Sequence, residues 1–166
     1  IAWRYAAAHP ERIRRLVLID PAGFPHDRPA TLAFRLARHP LTAKILLKIT
    51  PRSLYRNTLE EVYADDSKVT DSLVTRYFEL FRRPGNRQAF VDRMNQPSSP
   101  DTMALTRIDS PVLLQWGGQD DWIPVEDARR FQRLLPWDTL IVYEDLGHVP
   151  MEEAPGRTAR DVQVFL

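Results

Sequence analysis

The stretch Pro111-Val112-Leu113-Leu114-Gln115-Trp116-Gly117-Gly118-Gln119-Asp120-Asp121-Trp122-Ile123-Pro124 decides the fold. A short apolar run that ends in paired glycines fits a parallel strand buried on both faces and running into a loop. The same grammar occurs twice more. Leu16-Val17-Leu18-Ile19 runs into Asp20-Pro21-Ala22-Gly23, and Thr139-Leu140-Ile141-Val142-Tyr143 runs into Glu144-Asp145-Leu146-Gly147-His148. Residues 125–135 lie between the second and third strands, with Ala128, Phe131, Leu134 and Leu135 at helical spacing. Helices are also expected over residues 1–9, closed by Pro10, and over about 152–165. Alternating helices and buried strands predict an α/β fold with a parallel sheet.

Composition narrows the function classes. The 166 residues carry 23 Lys+Arg against 22 Asp+Glu, a net charge of +1, which argues against a dedicated nucleic-acid binder. Hydrophobic residues at 43% and charged residues at 27% are near globular norms, which argues against wholesale disorder. The absence of Cys excludes a thiolate metal site and a Cys nucleophile. No apolar run approaches the ~18 residues of a transmembrane helix. The first residues, Ile1-Ala2-Trp3-Arg4-Tyr5, already sit inside a helical pattern, and the last, Val164-Phe165-Leu166, inside an apolar one. The chain therefore reads as an internal piece of a longer protein.

The middle, residues 25–107, has a different texture. Prolines break it into helices expected over 30–38, 42–49, 53–63, 71–83 and 86–95. The fourth is the best defined. Thr70 is its N-cap, Val69 and Val74 form a staple, Leu73, Tyr77, Leu80 and Phe81 make a stripe, and Arg82-Arg83-Pro84-Gly85 ends it. An insert of roughly 80 residues is too long for an ordinary crossover. It is expected to form a cap over one end of the sheet, which divides the chain into core (1–24), cap (25–107) and core (108–166).

Parallel sheets place their sites in the loops after the strand ends. An acid in the loop after one strand and a His after the next could meet there. The carboxylate would fix the imidazole tautomer, leaving the other ring nitrogen as a general base. At these residues the chain resembles the α/β-hydrolase superfamily along its whole length. The family's G-x-x-D-x-x-x-P loop is matched by Gly117, Asp120 and Pro124, and its Gly-His dipeptide by Gly147-His148. The resemblance implies a partial α/β-hydrolase parallel sheet with a helical cap insertion, Asp120 and His148 as catalytic residues, and no metal or organic cofactor.

The family carries its nucleophile in G-x-S-x-G, between a strand and a helix. No such motif occurs in this chain, and the helix that follows the elbow resembles residues 1–9. The resemblance thus places the nucleophile upstream of Ile1. It implies a parent serine hydrolase that cleaves a small or medium apolar ester through an acyl-enzyme. An Asp nucleophile would imply a haloalkane dehalogenase or epoxide hydrolase instead, and C–C hydrolysis, haloperoxidase chemistry and a non-catalytic scaffold also use this fold. The isolated chain is expected to be inactive and to fold poorly, with an exposed sheet edge.

Several residues carry competing readings. Asp121, next to the chosen acid, reads as a turn residue. Asp20 is a third candidate acid, since some family members carry the acid after that strand, but its place before Pro21 reads first as a turn. Trp122 either borders the substrate or covers the sheet edge. His9 reads as a surface residue, and His26 and His39 belong to the cap or its entry. Phe34, Tyr55, Tyr77, Phe78, Phe81 and Phe90 shape an apolar pocket or pack a core. Arg82, Arg83 and Arg87 read as a solvated helix end or an anion site.

Overall fold

The computed structural model describes residues 1–25, 31–96 and 101–166. His26 lies outside them. Strands β1 (Leu16–Ile19), β2 (Val112–Gly117) and β3 (Asp138–Tyr143) form a parallel sheet in that order. Leu16 pairs with Val112, and Val112 with Asp138. This register brings the three C-terminal ends to one edge, so the loops after them open on the same side.

The central strand explains the apolar run. All six residues of β2 are buried. Val112, Leu114 and Trp116 face a core shared with Trp3, Ala6 and Ala7 of α1 (Ala2–Ala8) and Phe131 of α7 (Glu126–Leu134). The other face buries Gln115, whose amide donates to the Tyr143 hydroxyl at 2.8 Å and the Thr158 carbonyl at 3.0 Å. Those bonds satisfy a polar donor that would otherwise be costly to bury. Strand β3 departs from the expected two-sided burial, because four of its six residues are only half-buried. Among the described residues it pairs with β2 alone, so one flank has no neighbouring strand.

Two elements differ from the periodicity reading. The expected last helix divides into α8 (Pro150–Glu153) and α9 (Pro155–Phe165). Ala154 between them has φ −140° and ψ 63°, and a residue before proline is disfavoured in the helical region. Thr102–Arg107 forms a 3-10 turn that buries Leu105 completely, in a segment too short to show a period.

The chain divides into two units. The sheet unit comprises Ile1–Pro25, Val62–Asp65 and Pro100–Leu166, and the second comprises His26–Glu61 and Asp66–Ser99. Compared with the expected segment 25–107, Val62–Asp65 and the stretch from Pro100 group with the sheet.

The second unit is helical: α2 (Leu32–Arg38), α3 (Pro40–Lys48), α4 (Arg52–Glu60), α5 (Asp71–Arg82) and α6 (Asn86–Asn95). Thr70 caps α5 by accepting from Leu73 N, and Val69 and Val74 are both buried. Leu80 is 39% exposed and so falls off the expected stripe, while Phe78 packs on Tyr55 with ring centroids 6.0 Å apart. Gly85, at φ 87°, makes the left-handed turn into α6. Rings continue from Tyr55 to Phe81 (4.9 Å), Phe90 (5.7 Å) and Phe34 (6.1 Å), each half-buried. Arg87 donates to the carbonyls of Leu47 and Lys48 at the end of α3, so its guanidinium serves as a helix cap. Among the described residues no helix is long and apolar enough to cross a membrane.

Candidate active site

Each strand end delivers one polar side chain. Asp20 follows β1, Asp120 lies in the loop after β2, and His148 in the loop after β3. One donor atom from each lies within 4.8 Å of the other two.

Asp120 is buried at 4% exposure. Its Oδ1 accepts from the backbone N–H of Trp122 and of Ile123, both at 2.8 Å. Its Oδ2 lies 2.7 Å from His148 Nδ1. A carboxylate that receives two backbone amides has little freedom to rotate, so its second oxygen is presented to the imidazole in one direction. The acceptor carboxylate places the ring proton on Nδ1. Among the described residues no hydrogen bond is made by Nε2. The His148 side chain is 21% exposed. Trp122 stacks at a tilt beside it, with centroids 5.3 Å apart.

The loops approach so closely that two positions require glycine. A Cβ on Gly117 would sit 1.9 Å from the Gly147 carbonyl oxygen, and a Cβ on Gly147 would sit 2.5 Å from that of Val62. The His loop is fixed from behind by contacts that local sequence pattern does not reveal. Glu153 is buried, and its carboxylate accepts from Gly147 N at 2.6 Å, Ala64 N at 3.1 Å and Asp65 N at 3.4 Å. His148 N donates to the Val62 carbonyl at 2.8 Å, and Tyr63 Oη donates to Glu152 at 2.7 Å. These bonds explain why α4 stops at Glu60 although a helix was expected through residue 63: the backbone of Val62–Asp65 is committed to the His loop.

Asp20, read first as a turn residue, is instead buried within this cluster. It has φ 41°, the one positive φ among the described non-glycine residues. Its Oδ1 accepts from Gly117 N at 2.9 Å, while its Oδ2 makes no hydrogen bond. Burial, joined by the nearby Asp120 and Glu153 carboxylates, pushes its pKa up to about 9 against the pull of the Gly117 amide.

The remaining candidates lie apart from the cluster. Asp121 is exposed. His9 ends α1 and stacks on Tyr5, and His39 is an exposed residue at the start of α3.

A sequence model of the alpha/beta hydrolase family matches residues 1–161, and the chain belongs to that family. It is 27% identical to Lipase 3 of Moraxella sp. (strain TA144), over 99% of this chain and 52% of the lipase. It is also 27% identical to 2-hydroxymuconate semialdehyde hydrolase of Pseudomonas putida, over 100% of this chain and 58% of that enzyme. Among solved structures, a meta-cleavage product hydrolase from Pseudomonas fluorescens IP01 superposes with a TM-score of 0.77 at 25% identity, covering 97% of this chain and 58% of the other. The chain spans just over half the length of these relatives.

Proposed function

We propose that the full-length protein hydrolyses small or medium apolar esters by an acyl-enzyme mechanism, with His148 as general base and Asp120 as its orienting acid. The observation that carries this reading is the 2.7 Å contact between His148 Nδ1 and an Asp120 carboxylate held by two backbone amides. The nucleophile is a Ser preceding Ile1. His148 Nε2 takes the Ser proton as Oγ attacks the ester carbonyl, then returns it to the leaving alkoxide. The same nitrogen next deprotonates the water that releases the acid. Asp120 stays ionised and stabilises the imidazolium formed in each half-reaction. Trp122 borders the substrate beside the imidazole, and the helical insert takes the role of the cap expected from the sequence. The mechanism calls for no metal or organic cofactor.

A p-nitrophenyl ester assay on the full-length protein tests this reading. His148→Ala is expected to lower kcat by at least about 10⁴-fold, as loss of a triad base does elsewhere. Unchanged turnover in that variant would remove the proposal. The 166-residue chain alone, with no G-x-S-x-G, is expected to show no turnover above buffer. Likeness to two hydrolases of ring-cleavage products supports a second reading, C–C bond hydrolysis. A higher kcat/KM on 2-hydroxymuconate semialdehyde than on any ester would select it.

A further inference from the structure

Helix α3 is apolar on the side where a surface helix is normally polar. Its inner side packs Ala43 and Leu46 against Ala37 of α2 and Val91 of α6. That contact already gives the helix the one buried stripe it needs. Its outer side carries Leu41, Ile45 and, at the residue that ends the helix, Ile49, which are 68%, 59% and 67% exposed. A spacing of four residues sets them in a row. Single exposed apolar side chains are ordinary, whereas an aligned row of large ones marks a surface that is covered in use.

Charge indicates what covers it. Residues 31–59 contain six Lys or Arg (Arg35, Arg38, Lys44, Lys48, Arg52 and Arg56) and no Asp or Glu. Over the whole chain the two signs nearly cancel, at 23 against 22, so this run is a local excess of positive charge. Helices α5 and α6 differ, since Asp71, Glu79 and Asp92 are interspersed with their arginines. Asp71 meets Arg52 and Arg56. Among the described residues no acid pairs with Arg35, Arg38, Lys44 or Lys48, all of them exposed. Lys44 and Lys48 follow Leu41 and Ile45 by three residues and so stand beside the apolar row. Their methylene stems widen that row, and their ammonium groups reach past it.

We propose that α3 is an interfacial helix that docks on a bilayer containing anionic phospholipid, with Leu41, Ile45 and Ile49 seated at headgroup level and Lys44 and Lys48 on the phosphates. An aliphatic row flanked by unpaired lysines is the composition that lies in a bilayer interface and is drawn to negative headgroups. A second copy of the chain fits this face less well, because two such faces would bring their cations together. A nucleic acid also fits less well, because α3 has no aromatic ring on which a base could stack.

This docking stands apart from the hydrolase reading, and its test needs no turnover. The full-length protein is floated with vesicles of phosphatidylcholine containing about one part in three phosphatidylglycerol, and with vesicles of phosphatidylcholine alone. Partitioning is expected to be at least about 10-fold stronger on the anionic vesicles. The double variant Lys44→Gln/Lys48→Gln should lose on the order of 10-fold of that partitioning, since each lysine at an anionic surface contributes up to about fivefold. Ile45→Gln/Ile49→Gln should lose a similar factor, and the loss should persist at about 0.5 M salt, where the charge contribution is screened. These positions are exposed, so both variants should keep the parent's Tm, which checks that they fold. Leu41→Cys should react with a water-soluble maleimide in the absence of vesicles and be protected in their presence.

Four results overturn the proposal. The parent does not float with anionic vesicles. Both double variants float as the parent does. The lysine pair alone matters and the parent binds heparin as well as it binds vesicles, which makes the face a general polyanion site. Leu41→Cys resists the maleimide without vesicles, which means that another part of the protein or a second copy already covers the row. Inactivity towards esters leaves the docking untouched, and absence of vesicle binding leaves the hydrolase reading untouched.

Discussion

The sheet unit and the helical unit are held by different kinds of contact. At the strand ends, buried carboxylates bind backbone amides: Asp120 on Trp122 and Ile123, Asp20 on Gly117, Glu153 on Gly147, Ala64 and Asp65. In the helical unit arginines supply long-range ties, Arg52 from an exposed position and Arg56 and Arg87 from half-buried ones. Arg52 and Arg56 reach Asp71, and Arg87 caps α3. The rings between its helices are half-buried. Backbone-anchored carboxylates hold a loop in one conformation and tolerate little change. Arginine side chains at the surface and half-buried rings tie the helices together with fewer buried polar contacts.

Substitutions can break or sharpen this contrast. Among changes to the loop and core packing, the first to consider is Gly147→Ala in the full-length protein. The added methyl has no room against the Val62 carbonyl oxygen, so the His loop must move. A displacement of about 1 Å costs on the order of 10²-fold in kcat. A variant with parental kcat would show that the loop is not held as tightly as its contacts imply. Next comes Leu114→Ala, in the fully buried face of β2. It is expected to cost about 2–5 kcal/mol in urea unfolding, as large-to-small core changes do. An equal or greater loss from Leu46→Ala, in the smaller helical cluster, would erase the difference between the units. The smallest effect belongs to Arg56→Ala. Its partner Asp71 is 82% exposed, so the change is expected to cost about 0–1 kcal/mol, less at high salt. A loss above 2 kcal/mol would make the arginine ties structural in their own right.

What the sequence disclosed follows the same division. Strands β1 and β2 were legible because an apolar run of four to six residues has few other uses, and Asp120 and His148 because each stands at a short, fixed distance from a glycine after a strand. The cluster's third member, Asp20, stands among the candidate acids in the sequence, but Asp before Pro is a common turn pair and nothing nearby marks it as buried. The anchor between Glu153 and Ala64 was hidden too: its partners are 89 residues apart and leave no local period. Leu80 shows the converse. A stripe of four apolar residues fitted a helix, yet only neighbouring helices decide which of them is covered.

The most direct test of the account compares Asp120→Asn with Asp121→Asn in the full-length protein, by kcat/KM on a p-nitrophenyl ester. The two acids are adjacent in sequence; Asp120 Oδ2 lies 2.7 Å from His148 Nδ1, whereas Asp121 is exposed. Loss of the tautomer-fixing carboxylate should cost on the order of 10⁴-fold. The exposed Asp121 should cost less than about threefold, as surface substitutions away from a site do. A greater loss from Asp121→Asn, or parental activity in Asp120→Asn, would contradict the assignment on which the site is built.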